Sequence, residues 1–187
     1  MAENFLTAYW IKIFATLIVF VGLIVLFIRQ SRNQANADPQ AVVNVLSQLG
    51  ADYTVLSNVV VPADRGMFDV GNVVVSPYGV FVVTVKQTVG KIFGREGDSD
   101  WEVKSGRKSD FIPNPLWENR KHVNALEKLI GPVFFISIVV FPRAVMKGQF
   151  GSNVIRLNML RQKVLQNKTS RLSVDRRDEI LKVLRKR

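Results

Sequence analysis

Few side chains in this chain of 187 residues are able to do chemistry, and their types narrow the options at once. There is no cysteine, which removes disulfides, thiolate zinc sites, iron–sulfur clusters and cysteine nucleophiles together. A single histidine, His122, leaves no histidine-rich metal site. No phosphate-cradling glycine loop and no serine, histidine and aspartate arrangement stands out. What remains is charge. Lys and Arg number 26 against 15 Asp and Glu, a formal net charge of +11, which selects anionic partners, nucleic acid or acidic lipid. Seven of those eleven charges lie in residues 161–187, where ten Lys or Arg accompany Asp175, Asp178 and Glu179. Ser173 can cap a helix there whose Ile180, Leu181 and Leu184 pack inward, leaving Arg176, Arg177, Lys182, Arg185, Lys186 and Arg187 on or near the solvent face. Such a face is either simply solvated or touches nucleic-acid phosphates or anionic lipid. It carries no aromatic residue, which argues against stacking of exposed bases along this stretch.

The elements that must position these groups begin with an apolar segment. Across residues 5–28 the only charge is Lys12, and residues 13–28 are an uncharged run of mostly Ile, Val, Leu and Phe. That run reaches about 24 Å as a helix, so Tyr9, Trp10 and Ile11 are needed to cross a hydrocarbon slab of about 30 Å. Residues 5–28 therefore read as one transmembrane helix embedded in the lipid bilayer, with Lys12 snorkelling and Tyr9 and Trp10 at one interface. Arg29 and Arg32 mark the other side as cytoplasmic, and residues 29–37 form a short polar linker. Ala35-Asn36-Ala37 offers the competing reading of a signal-peptide cleavage site, but the positive charges follow the apolar run where a signal would place them before it.

Residues 38–157 read as a folded domain. Asp38 and Pro39 open a helix with Val42, Val45, Leu46 and Leu49 on one face, and Gly50 ends it. β-Branched runs follow at residues 53–61, 70–76 and 79–85, with Ser76-Pro77-Tyr78-Gly79 as the turn between the last two. Residues 91–94 and the region of Trp101 suggest a smaller, surface-exposed hairpin. Asn114-Pro115 opens a second helix with Leu116, Val123, Leu126 and Ile130 in one stripe, closed by Gly131-Pro132. Residues 133–141 are too short to span a bilayer as a helix and read as a central strand covered on both faces. Residues 153–157 follow as a short strand, and residues 158–187 form a basic helical end. The fold class is α/β, with a mixed sheet flanked by helices.

Asp69-Val-Gly-Asn-Val-Val-Val-Ser-Pro-Tyr-Gly79-Val-Phe-Val-Val-Thr84-Val-Lys86, taken with Gly90-Lys-Ile-Phe-Gly94, Trp101 and Asn114-Pro-Leu-Trp-Glu118-Asn119-Arg-Lys-His122, resembles the nuclease-related domain, NERD. This is a divergent branch of the PD-(D/E)xK nuclease fold, and the similarity runs from Asp38 to Phe141. The resemblance implies a bacterial protein, held by one N-terminal helix in the plasma (inner) membrane with its domain in the cytoplasm, and a nucleic-acid partner.

The chemistry of that fold needs a carboxylate at the end of one strand and a second in an E-x-K pair on the next, together holding Mg²⁺ while the lysine orients the attacking water. In this chain the first acid falls on Gly71, with Asn72 in the neighbouring histidine place, and the second falls on Thr84. Lys86 is the remnant of the E-x-K pair. The acid of the first helix falls near Pro39, and the glutamine of the later helix falls on Glu118. Candidate catalytic positions are therefore Lys86, Thr84, Glu118 and His122, and Asp69 is a candidate migrated metal ligand, two residues before Gly71 and about 7 Å away on an alternating strand. The plainer reading makes Asp69 a turn carboxylate, Glu118 a first-turn helix residue, Lys86 an ion-pair partner and His122 a hydrogen-bonded residue beside the core. The expected function is a membrane-anchored, catalytically degenerate domain that binds DNA or a protein partner and needs no cofactor. Two alternatives remain: a weak nuclease using Mg²⁺ with Asp69, Glu118 and Lys86, and a structural subunit of a membrane complex.

Overall fold

A computed structural model of the chain describes residues 40–62 and 66–185. The expected membrane helix at residues 5–28, the linker at 29–37, the capping pair Asp38 and Pro39, and the terminal Lys186 and Arg187 lie outside the described residues. Among the described residues no helix is long and apolar enough to cross a membrane.

Nine strands are described: β1 (Thr54–Pro62), β2 (Met67–Ser76), β3 (Gly79–Val85), β4 (Gly90–Phe93), β5 (Asp100–Ser105), β6 (Lys108–Pro113), β7 (Phe135–Phe141), β8 (Ala144–Met146) and β9 (Val154–Arg156). The helices are α1 (Gln40–Leu46), α2 (Pro115–Ile130), α3 (Leu160–Leu165) and α4 (Val174–Arg185).

The larger sheet has the order β1-β2-β3-β7-β9. Its first three strands are antiparallel, and β7 then joins β3 in parallel, with β9 parallel to β7 at the edge. The β2–β3 turn forms as its residues require: the Ser76 hydroxyl accepts from the Tyr78 N–H and donates to the Gly79 carbonyl, each at 3.1 Å. Gly79 has φ 138°, and a Cβ there would lie 2.6 Å from the Phe134 carbonyl oxygen, so only glycine fits.

Alternation along the strands produces two buried faces. Val73, Val75, Val80 and Val82 pack under α2 and α4, against Leu126, Ile130, Ile180, Leu181 and Leu184. Val74, Phe81, Val83, Ile138 and Val140 pack under α1 and α3, against Val42, Leu46, Leu160 and Val164. This double cover is why β3 and β7 read as unbroken apolar runs. The C-terminal helices are thus part of the core. Ser173 caps α4 as its position suggests, accepting from the Arg176 N–H at 3.3 Å. The preceding Arg171 and Leu172 N–H groups both donate to the Pro77 carbonyl, at 2.8 and 2.9 Å, strapping this segment across the β2–β3 turn.

The expected small hairpin is larger than its sequence suggests. It is a four-stranded sheet of order β6-β5-β4-β8, antiparallel apart from the parallel β4–β8 pair. Nor is its inner face on the surface: Ile92, Trp101 and Val103 pack with Val139, Phe141 and Phe150. The Gly90–Gly94 motif makes this possible by close approach. A Cβ on Gly94 would sit 2.5 Å from the Trp101 ring, whose indole N–H donates to the Arg95 carbonyl at 2.9 Å.

That contact yields a stability test. Replacing Gly94 by Ala overpacks the indole and should cost about 1–3 kcal/mol. Gly97→Ala, where a Cβ meets nothing within 4 Å, should change stability by less than about 0.5 kcal/mol. Thermal unfolding of the two variants followed by tryptophan fluorescence makes the comparison, and equal melting temperatures would refute the packing account.

Candidate functional site

Thr84 and Lys86 stand at the C-terminal end of β3, and the first two turns of α2 lie over that end. The start of α2 is set by Asn114, whose side-chain oxygen accepts from the Leu116 N–H at 3.0 Å. Its amide nitrogen also donates to the Glu96 and Asp98 carbonyls, at 2.9 and 2.6 Å, tying the helix start to the loop before β5. Pro115 follows at the first helical position, which suits its missing N–H.

One turn on, Asn119 is fully buried, and its side-chain amide donates to the Val82 carbonyl at 2.9 Å, to the Thr84 hydroxyl at 3.0 Å and to the Ile138 carbonyl at 3.2 Å. Thr84 in turn lies 2.9 Å from His122 Nδ1. The hydroxyl accepts from Asn119 and keeps both a proton and a second lone pair, so it meets Nδ1 in either ring tautomer, and Nε2 faces Glu118. The Nε2 to Glu118 Oε1 separation is 4.0 Å, too long for a hydrogen bond but close enough for the charges to matter. The other Glu118 oxygen is ion-paired with Lys86 Nζ.

His122 is only 5% exposed, with the edge of its ring against Phe68 at 5.1 Å between centroids. Burial pulls its pKa below the ordinary 6.5, and Lys86 pulls the same way, while Glu118 and Asp69 oppose them. The ring is therefore neutral at physiological pH.

Asp69 does not extend toward this network. Its Oδ1 accepts from the Gly71 N–H at 2.8 Å. The β1–β2 register shifts at this point, with Val59 opposite Gly71 and Val60 opposite Asp69, so Val70 is the extra residue of a bulge. Gly71 has φ 81°, the conformation glycine adopts freely. The bulge therefore explains the glycine at the place where the nuclease pattern has an acid.

A shallow pocket of about 170 Å³ is lined by Asp69, Gly71, Asn72, Thr84, Glu118 and His122. The structure thus gathers all the sequence-derived candidates at one place, with Lys86 joined to the rim through Glu118. It does not bring the basic helix there. Arg176 caps the opposite end of α2, its guanidinium donating to the Ile130 carbonyl and pairing with Glu179 at 2.5 Å. Glu118 and Ile130 are about 18 Å apart along the helix axis. Arg177 is half-buried, while Lys182 and Arg185 are exposed. Asn119 is the residue that sequence reasoning missed. Its signal was a polar side chain on the apolar stripe of α2, four residues before Val123 and seven before Leu126.

The donor set does not fit Mg²⁺. A hard cation needs several oxygen ligands free to turn toward it. Here Lys86 holds one oxygen of Glu118, the Gly71 N–H holds one oxygen of Asp69, and the Thr84 hydroxyl is engaged by Asn119 and His122, which leaves one oxygen on each carboxylate, fewer than such an ion needs. Among the described residues no group of three or more His, Asp or Glu is placed to hold a metal ion.

Comparison with known proteins supplies the family. Residues 34–142 match the family model for the nuclease-related domain, NERD. An uncharacterized protein of Bacillus anthracis is 35% identical over 99 residues, covering 52% of this chain and 47% of that protein. The chain therefore spans about half the length of that relative. No solved structure matches.

Because His122 is the single histidine, its imidazole NMR titration reports this network directly. Its pKa should lie below 6.5, fall further in Glu118→Gln and rise in Lys86→Met. Since the unfolded chain binds this proton more readily than the folded one, stability should rise with pH up to about 6.5 and decline as pH falls below it. A pKa that ignores both substitutions would contradict the arrangement.

Proposed function

Since the chain belongs to the nuclease-related domain family, we propose that it is a membrane-tethered, catalytically degenerate member that binds DNA without cutting it. The observation that carries this reading is the Lys86–Glu118 ion pair. In the nuclease pattern the lysine orients water beside a metal held by carboxylates. Here the lysine is neutralised by the helix carboxylate, and the neighbouring strand position is a neutral hydroxyl bonded to a neutral histidine.

Binding in place of cleavage follows from charge. A formal charge of +11 attracts a polyanion whatever its sequence, through phosphate contacts and release of counterions. Lys182 and Arg185 on α4 supply exposed cations away from the pocket. The apolar run of residues 5–28 supports a single anchor in the bacterial inner membrane, and Arg29 and Arg32 support a cytoplasmic domain, where DNA is accessible.

A second reading, a weak metal-dependent nuclease, is favoured by one feature: Asp69 and Glu118 both line the same pocket. It requires the second oxygen of each carboxylate to turn toward one ion.

The test is to incubate the purified full chain, in detergent, with plasmid and linear DNA in the presence and absence of Mg²⁺ or Mn²⁺, beside Lys86→Ala. The degenerate reading expects intact DNA that is retained by the protein, with affinity falling at least about tenfold between 50 and 200 mM salt. Metal-dependent cutting that disappears in Lys86→Ala would establish the nuclease reading instead. Uncut DNA with no salt-dependent retention would leave a protein partner in a membrane complex as the remaining function.

A further inference from the structure

The outer face of the small sheet brings aromatic and basic side chains together. Ile92, Trp101, Val103 and Ile112 point into the core, so the residues that alternate with them point out. The strand register aligns these outward residues in two rows, Phe93 with Glu102 and Phe111, and Lys91 with Lys104 and Ser109. We propose that this face binds single-stranded DNA, with a base stacked on Phe111 and the flanking phosphates held by Lys91 and Lys104. This rests on the DNA-binding reading above and names the form of DNA and the surface.

Three observations carry it. Phe111 is 66% exposed, and no large apolar side chain among the described residues is more so. Two other rings on the surface are already engaged by cations: Phe134 by Arg171 at 3.9 Å, and Phe93 by Lys104 at 5.0 Å. Phe111 has neither a cationic nor an aromatic neighbour among the described residues, so its ring is open to a flat partner.

The charges are arranged to suit a phosphate chain. Glu102 is the acid on these rows, and it is met within the face, by the Ser109 hydroxyl at 2.6 Å and by Lys104 at 3.2 Å. Lys104 is thereby braced between Glu102 and the Phe93 ring, while Lys91 is exposed, as are Arg107 and Lys108 at the β5–β6 turn.

The spacing also suits a nucleotide. Lys104 lies one strand over and two residues along from Phe111, about 8 Å, and Lys91 two strands over, about 12 Å, separations within reach of a base's own phosphate and of the next one along the chain. A duplex keeps its bases stacked inside and offers Phe111 nothing; a single strand offers a base face. The aromatic residues absent from the basic C-terminal helix are therefore found here.

The experiment is fluorescence anisotropy of the full chain in detergent with a labelled oligothymidylate of about 15 nucleotides and with a duplex of equal length. Phe111→Ala should weaken the single strand about tenfold or more while changing duplex affinity less than about twofold, and Phe111→Tyr should restore it. Lys91→Gln should weaken the single strand and reduce its salt slope by about one. Unchanged melting temperatures check that the variants are folded. Equal effects of Phe111→Ala on both DNA forms, or no effect on either, would overturn the proposal and leave DNA binding standing. Wild-type protein that binds neither form would remove the DNA-binding reading itself. A change of oligomeric state in Phe111→Ala with single-strand affinity intact would make the face a contact between copies of the chain, and the proposal would fall.

Discussion

The buried amide of Asn119 is the constraint on which the site depends. A polar group in an apolar interior costs stability unless its hydrogen bonds are made. Asn119 makes those of its amide nitrogen, to the Val82 and Ile138 carbonyls, one on each of the two parallel strands at the centre of the sheet, and to the Thr84 hydroxyl, while its Oδ1 has no hydrogen-bond partner among the described residues. Apolar packing alone would let α2 shift along the sheet at modest cost, because valine and leucine contacts are non-directional. The amide does not allow this: a shift by one turn would take its nitrogen away from the Val82 and Ile138 carbonyls and the Thr84 hydroxyl. The register of α2 is thereby tied to the C-terminal end of β3. Glu118 and His122, one residue before it and three after, are delivered to Lys86 and Thr84 as a consequence.

The same constraint ties the end of the strand to the helix above it. Asn119, His122 and Thr84 form a chain of directed hydrogen bonds, each occupying what the next would otherwise lack. The Thr84 hydroxyl accepts from Asn119 and lies 2.9 Å from His122 Nδ1, so one strand side chain bridges the helix amide and the imidazole. A carboxylate at that position would face a neutral ring and an amide already committed to two carbonyls. The Thr84 hydroxyl oxygen is held within these hydrogen bonds and is not free to turn elsewhere while they stand.

Elements bounded by residues of strong local preference were legible in the sequence. The helix from Pro115 to Ile130 is bracketed by Asn114 and Gly131, whose effects are local, and the β2–β3 hairpin is announced by Ser76-Pro77-Tyr78-Gly79. β6 was not legible, because of Lys108 to Pro113 only Ile112 packs on the core and no alternation shows. Trp101 belongs by composition to a polar stretch, and its burial follows from β8 and Phe150, more than forty residues later in the chain. The site was half legible. The residue types at Lys86, Thr84, Glu118 and His122 could be picked out by their place in a pattern. That Lys86 meets Glu118, that Asp69 turns back on its own bulge and that Asn119 reaches two strands at once are facts of packing between distant segments.

The parallel pairing of the strands sets the order in which the molecule can assemble. Val80 pairs with Phe135, and Gly90 pairs with Ala144, each across about fifty-five residues. Such pairs close large loops and form late. The β2–β3 hairpin, joined by a two-residue turn, forms early by comparison, yet both of its faces are apolar, and apart from α1 their cover comes from α2, β7 and the C-terminal helices. During synthesis it leaves the ribosome dozens of residues ahead of that cover. Within the folded domain, residues 67–85 therefore spend the longest time made but uncovered during synthesis, an interval that ends when β7 and the C-terminal helices arrive.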